Sequence, residues 1–106
     1  MYGLHGRIDA TEGHGEELAG HLVAGTQELG DHGCLLYVVS RREDAPDAVY
    51  VYEVWTDADA HQASLELSSV QDAIAGARPL IAGMSERVEF TPVAGLGLPA
   101  AGSPPP

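Results

Sequence analysis

The sequence predicts an α+β fold in which two helices cover one face of a four-stranded antiparallel sheet. Four segments are rich in β-branched and aromatic residues or alternate apolar with polar residues, which predicts strands. Two others carry apolar residues every three or four positions, which predicts amphipathic helices. The chain has 106 residues, enough for one hydrophobic core but not for two.

The first predicted strand and helix follow one another directly. Apolar and polar side chains alternate from Tyr2 to Asp9, the pattern of a strand with one apolar face. From Glu12 to about Leu29 the apolar residues instead recur on one helical face. Thr11 is the expected N-cap of this helix, and Gly30 is expected to end it in a left-handed conformation.

The second and third predicted strands run from Gly33 to Arg41 and from Ala48 to Trp55. The charged, proline-containing segment 42–47 between them is short enough to make the pair an antiparallel hairpin. Both strands are apolar on both faces. Because an antiparallel sheet in a small monomer usually leaves one face in water, we expect helices on one face and a second copy of the chain on the other. The sequence therefore predicts a homodimer.

A second helical region is predicted from Asp57 to about Arg78, with Thr56 as its N-cap and an interruption near Leu67. Gly83 is expected to form a turn before a fourth strand, Met84 to Phe90. The resulting order, β-α-β-β-α-β, is that of the ferredoxin-like fold. We expect one domain over residues 1–92 and a Gly-, Ala- and Pro-rich tail over residues 93–106.

Composition narrows the classes of partner. Sixteen Asp and Glu against five Arg and no Lys give a formal charge of −11, which disfavours nucleic acid and membrane partners. The N-terminus lacks the charged and then apolar order of a signal peptide, so we expect a cytoplasmic protein. Cys34 is the only cysteine, which excludes an internal disulfide, and its apolar neighbours predict a buried thiol.

Two short motifs lie on the predicted hairpin: Gly33-Cys34-x-x-Tyr37 on its first strand and Tyr52-Glu53-x-Trp55 on its second. With the topology around them, they make the chain resemble the antibiotic biosynthesis monooxygenase and quinol monooxygenase family over about residues 2–91. The resemblance implies a dimeric α+β barrel with an apolar pocket between each sheet and its helices. It also implies a monooxygenase that oxidises a small aromatic substrate, a quinol or polycyclic phenol, with dioxygen and without a bound flavin, haem or metal.

The resemblance also suggests site residues. Many relatives carry a histidine at the position of Ser64, and His61 lies one helical turn earlier, so its imidazole can reach the same region. We expect His61, Glu53 and Trp55 to be catalytic, with His61 or Glu53 as the base and Trp55 stacking on the substrate. The substrate-binding residues are expected to be Leu4, Gly6, Val51, Ser64 and Leu65.

Simpler interpretations of these residues remain open at this point. His61 is also compatible with an exposed helix position, Trp55 with a core residue, and Glu53 with an ion pair to an arginine. Haem-degrading relatives use an asparagine and a histidine where this chain has Gly6 and Ile74, so haem degradation is not expected. The alternative functions are a non-catalytic ligand-binding or stress-related dimeric barrel and, less favoured, an isomerase of a small lactone.

Overall fold

The computed structural model describes residues 1–99 and confirms the ferredoxin-like α+β arrangement. Within these residues four strands and three α-helices follow one another: β1 (Tyr2–Ala10), α1 (Gly15–Ala24), β2 (Cys34–Arg41), β3 (Ala48–Trp55), α2 (Ala58–Ser64), α3 (Ser68–Ala77) and β4 (Ile81–Phe90). Single turns of 3-10 helix lie at Leu29–His32 and Arg78–Leu80. The sheet is antiparallel in the order β2-β3-β1-β4.

The register of the two central strands sorts their side chains between the two faces of the sheet. Leu4 lies opposite Glu53 and Gly6 opposite Val51, and these residues point toward the helices, since Val51 belongs to the core beneath them. His5 lies opposite Tyr52 and points away from the helices. The sheet therefore has a helix face and a helix-free face.

The core lies between the helix face and helix α1. Leu18 of α1 and Val49 of β3 are fully buried, and Ile8, Val51 and Ala77 join them in one cluster. Burying a Leu or Val side chain stabilises a fold by about 1.5–3 kcal/mol. This cluster fixes the helices over one end of the sheet and leaves room for cavities beside it.

The N-terminus of α1 differs from the prediction. The helix begins at Gly15 rather than Glu12, and Thr11 is not its cap. Instead the carboxylate of Asp47, in the β2–β3 turn, accepts hydrogen bonds of 2.9 Å from the backbone N–H groups of Gly13 and Gly15. A Cβ at Gly15 would collide with the carbonyl oxygen of Pro46. A residue distant in sequence thus replaces the local cap.

The end of α1 also differs from the prediction. The α-helix ends at Ala24, and the predicted stretch to Leu29 continues as turns and 3-10 helix. Leu29 is nevertheless buried, so the apolar spacing correctly indicated burial although the backbone is no longer α-helical. The glycine that ends this segment in a left-handed conformation is Gly33, with a φ of 93°, rather than Gly30.

The second helical region divides into α2 and α3, as the expected interruption near Leu67 implies. The N-cap of α2 is Asp57 rather than Thr56, since its Oδ1 accepts a 2.7 Å hydrogen bond from the Ala60 N–H. Gly83 does not form a turn. It lies inside β4, which begins at Ile81 because the chain is already paired there with the end of β1.

Strand β2 is an edge strand, and this affects Cys34. The residue is half-buried rather than buried as predicted, and its Sγ donates a 3.4 Å hydrogen bond to the Leu36 carbonyl across a register shift. Residues 93–99 lie in neither a helix nor a strand, and the rest of the predicted tail, residues 100–106, is outside the described residues. Within residues 1–99 no helix is both long enough and apolar enough to cross a membrane.

Candidate active site

Two cavities open on the helix face of the sheet. The small chamber, of about 130 Å³, lies beneath the three helices and reaches Trp55 and His61. The large chamber, of about 400 Å³, lies over β1 and β4. Glu53 and Tyr37 line both. The two chambers therefore meet at these side chains.

Glu53 is the carboxylate at this junction. Its Oε1 accepts a 2.8 Å hydrogen bond from Nε1 of Trp55 and lies 3.5 Å from Nε2 of His61. The side chain is only 12% exposed. Burial raises the pKa of Glu53 above its usual range, while the Trp55 hydrogen bond and the charges of His61 and Arg87 oppose this increase. A carboxylate of this kind is a better proton acceptor than a solvated one.

His61 is held in the small chamber by aromatic contacts. Its ring centroid lies 5.5 Å from that of Trp55, edge to face, and 5.6 Å from that of Tyr2. The His61 side chain is 14% exposed, so its interpretation as an exposed helix residue is wrong. Ser64, which the sequence resemblance aligns with a histidine, is buried, and its Oγ donates a 2.6 Å hydrogen bond to the His61 carbonyl.

The structure also bears on the alternative interpretations of Trp55 as a core residue and of Glu53 as the partner of an arginine. Trp55 is 1% exposed, so it is a core residue as well as a wall of the small chamber. Glu53 is hydrogen-bonded to Trp55 rather than paired with an arginine.

The expected substrate-binding residues all line one chamber or the other. Ser64 and Leu65 line the small chamber. Leu4, Gly6 and Val51 line the large one. An added Cβ at Gly6 would have no heavy atom within 4 Å, so this glycine leaves the floor of the large chamber open.

Three residues of the site were not selected from the sequence. Tyr37 lies between the chambers, and burial raises the pKa of its phenol. It belongs to the first motif, but its pairing with Glu53 depends on the register shift after Cys34. Tyr2 packs on His61, as its alternation with Leu4 allowed. Arg87 reaches the large chamber through an irregularity in β4 that periodicity does not reveal.

Gly6 and Ile74, the positions that the sequence resemblance associates with haem degradation, line the large and small chambers and offer no ligating side-chain atom. Among residues 1–99 no three His, Cys, Asp or Glu side chains converge as metal ligands.

The fold and the site define a class: a ferredoxin-like subunit with an apolar two-chamber cavity and a buried carboxylate, imidazole and indole. The sequence model of the antibiotic biosynthesis monooxygenase family matches residues 1–76. The chain belongs to that family.

Solved structures share this fold. A Chloroflexus aurantiacus J-10-fl protein named for this family is 48% identical, with a TM-score of 0.84 over 89% of this chain and 94% of that one. A Nitrosomonas europaea protein named for the same family is 12% identical, with a TM-score of 0.79 over 89% and 100%. SnoaB, a cofactor-independent oxygenase from Streptomyces nogalater, is 20% identical, with a TM-score of 0.73 over 90% and 95%. Comparison with curated proteins gave no match.

Proposed function

We propose that this protein is a cofactor-independent monooxygenase that oxidises a small aromatic substrate, a quinol or polycyclic phenol, with dioxygen. The observation that carries the proposal is the buried Glu53 carboxylate, placed between Trp55 and His61 where two apolar chambers meet. SnoaB, which has the same fold, is a cofactor-independent oxygenase, and this supports the reaction class by analogy.

Glu53 is the proposed proton acceptor. A free phenol has a pKa of about 10, so a phenol at neutral pH needs a base to become an electron-rich anion. The raised pKa of Glu53 brings its basicity closer to that of the phenol. His61 faces Oε1 from 3.5 Å and is proposed to position the carboxylate and to tune its pKa, while the second carboxylate oxygen takes the proton.

The oxidation then requires only the substrate and dioxygen. The bound phenolate gives one electron to dioxygen, and the resulting phenoxyl radical and superoxide combine at an unsubstituted ring carbon. The peroxide anion takes the proton back from Glu53. Loss of the ring hydrogen with cleavage of the O–O bond leaves a carbonyl group and one molecule of water. Phenol and dioxygen thus become quinone and water.

The helix-free face is proposed to bind a second copy of the chain. Four large apolar side chains on this face are between 37% and 44% exposed: Leu36, Val38, Val88 and Phe90. Tyr52 and Phe90 pair at 6.2 Å between ring centroids within the same surface. A contiguous apolar sheet face is costly in water, and a symmetric pair of such faces would cover both.

Oxygen consumption tests the proposal. Purified protein is supplied with a panel of quinols and polycyclic phenols in a closed oxygen electrode, with the Glu53→Gln variant as the matched control. With labelled dioxygen we expect one labelled atom in the quinone and one in water. Enzyme-dependent oxygen uptake that Glu53→Gln retains in full, or the absence of uptake with the whole panel, contradicts the proposed function.

A further inference from the structure

The large chamber contains a cationic group that the proposed chemistry does not use. Arg87 lines this chamber together with apolar side chains of β1 and β3, among them Leu4 and Val51. The chain carries a formal charge of −11, so a guanidinium in the larger of the two chambers is opposite in sign to the net charge of the protein. We infer that Arg87 binds an anionic substituent, such as a carboxylate, on an aromatic substrate whose hydroxyl end lies at Glu53.

The backbone is distorted where it presents Arg87. In β4, Val88 pairs with His5 and Ser85 pairs with Arg7, so that two residues, Glu86 and Arg87, lie opposite Gly6 alone. Glu86 has a positive φ of 51°, and it is the only non-glycine residue within residues 1–99 that does. Such bulges redirect side chains, and non-glycine residues in this region are strained. The bulge lets Arg87 reach the chamber, while Glu86 approaches Arg7 at 3.8 Å.

Arg7 also borders this chamber, but its guanidinium lies on the helix-free face with Tyr50 and is already engaged. The Arg7 guanidinium donates to Asp9 at 2.9 Å and to the Tyr50 hydroxyl at 3.2 Å, and it stacks over the Tyr50 ring. Arg87 has a weaker partner. Its Nη1 lies 3.5 Å from Oε1 of Glu89, and both side chains are 60% exposed. An exposed ion pair of this length contributes little free energy. A ligand carboxylate can accept two hydrogen bonds from the guanidinium and can therefore displace the carboxylate of Glu89.

The chamber volume fits a small aromatic molecule. The large chamber alone measures about 400 Å³, within the range of about 300–1,000 Å³ for small-molecule sites. Glu53 lies at one side of it and Arg87 lines the same chamber. A fused-ring phenol with its hydroxyl at one end and a carboxylate at the other would meet a proton acceptor and a guanidinium. This inference rests on the proposed aromatic site and specifies its substrate class.

Anaerobic binding tests this inference separately from turnover. Two probes are compared: a naphthol, and a hydroxynaphthoate whose carboxylate lies on the ring remote from the hydroxyl. Trp55 is the only tryptophan and lies in the site, so its fluorescence reports binding. We expect the wild-type protein to bind the hydroxynaphthoate about tenfold more tightly, as for a charge-assisted contact of partial exposure. Arg87→Gln should abolish this preference, so that the two probes bind with about equal affinity.

Three variants make the result specific. Arg78→Gln removes the same charge from an exposed site outside the chambers, and it should keep the preference. Arg87→Lys should retain part of it, because an ammonium is a single-point rather than a forked donor. Gly6→Leu should weaken both probes, because its side chain projects into the chamber floor.

Each contrary outcome has a distinct meaning. Equal binding of the two probes by the wild-type protein, or the same loss in Arg78→Gln as in Arg87→Gln, overturns the role of Arg87. Unchanged hydroxynaphthoate binding in Gly6→Leu places the ligand elsewhere and overturns it as well. Failure of both probes to bind the wild-type protein contradicts the aromatic site itself. Binding with the expected preference but without oxygen uptake supports Arg87 and counts against the oxygenase.

Discussion

The indole Nε1 of Trp55 donates a 2.8 Å hydrogen bond to Oε1 of Glu53, two residues away on the same strand. The strand period places both side chains on the helix face, so a single segment supplies an apolar wall and a carboxylate fixed against it. The bond occupies one carboxylate oxygen. It leaves the other oxygen available for the proposed proton transfer and limits how far burial raises the pKa of Glu53.

Replacing this carboxylate should separate binding from chemistry. Glu53→Gln keeps the volume and an acceptor for Trp55 but removes the base. We expect turnover to fall by about 10² or more, the usual contribution of a positioned proton acceptor, with ligand affinity changed much less. In the wild-type protein the rate should fall as the pH decreases through the raised pKa of Glu53, because only the ionised carboxylate accepts a proton. Steady-state kinetics across the pH range measure both effects.

The same substitution should make the fold more stable at neutral pH. The folded pKa of Glu53 is raised above the unfolded value, mainly by burial. Its contribution to stability is therefore complete below the unfolded pKa and is lost as the pH rises through the folded pKa. Thermal denaturation should show Glu53→Gln melting above the wild type at neutral pH and level with it in acid. A lower melting temperature at neutral pH would mean that the ionised carboxylate stabilises the fold.

Asp47 should have the opposite pH dependence. Its carboxylate accepts the backbone N–H groups of Gly13 and Gly15, which lowers its pKa. The stability it supplies is present above the unfolded pKa and is lost as the pH falls through the lowered folded pKa. Asp47→Asn should therefore melt below the wild type at neutral pH, and the difference should shrink in acid. The neighbouring exposed carboxylate of Glu43 provides the control, since Glu43→Gln should have little effect.

The exposed apolar side chains of the helix-free face predict that the protein is a dimer in solution. Light scattering at micromolar concentration should give twice the mass of the chain, and Val38→Glu should shift it toward the monomer by placing a charge in the proposed interface. Val23→Glu is the matched control. Val23 is 55% exposed but lies on α1, so this variant should remain a dimer. A wild-type monomer, or equal dissociation in both variants, would show that the helix-free face does not pair.

Several elements could be predicted from the sequence because local pattern and tertiary structure agree there. Strand β3 was predicted with both ends correct, since its β-branched and aromatic run is bounded by a charged turn and a capping residue. Alternation along it also placed Trp55 and Glu53 together. The extent of α1 was wrong because periodic apolar spacing reports which residues are buried, and Leu29 is buried from a 3-10 turn.

Two of the three site residues that the sequence did not reveal, Tyr37 and Arg87, depend on broken periodicity. Tyr37 comes opposite Glu53 only after the register shift beyond Cys34, and Arg87 reaches the large chamber only because of the bulge at Glu86. An inserted residue inverts the alternation of the side chains that follow it. No simple period predicts where such an insertion lies. The Asp47 cap of α1 was missed for a related reason, since it comes from 32 residues away.

Trp55→Phe should affect both affinity and pH dependence. The smaller ring reduces the contact with an aromatic ligand and removes the hydrogen bond to Glu53, one of the contributions that lower the pKa of this carboxyl. Affinity for the best substrate should fall several-fold, and the acid limb of the rate profile should move to higher pH. Because Trp55 is buried, some stability will also be lost, so affinity is measured well below the melting temperature. If the acid limb of the rate profile does not move, the Trp55 hydrogen bond does not affect the pKa of the group that acts as the base.

His61→Ala distinguishes a base from a positioning residue. The charge of His61 lowers the pKa of Glu53, so its removal should raise that pKa further and move the acid limb of the rate profile toward higher pH. We expect maximal turnover to fall by about tenfold, less than for Glu53→Gln, because the carboxylate remains but is less well oriented. Alanine is favourable inside a helix, so α2 should form and the loss can be assigned to the site.

Two further variants complete this comparison. His61→Gln keeps a hydrogen-bond donor without a titrating ring and should recover part of the rate but not the original pH profile. His32→Ala removes an exposed histidine outside the site and should match the wild type. If His61→Ala instead loses as much turnover as Glu53→Gln, and the acid limb disappears rather than moves, then the imidazole is the proton acceptor and Glu53 orients it.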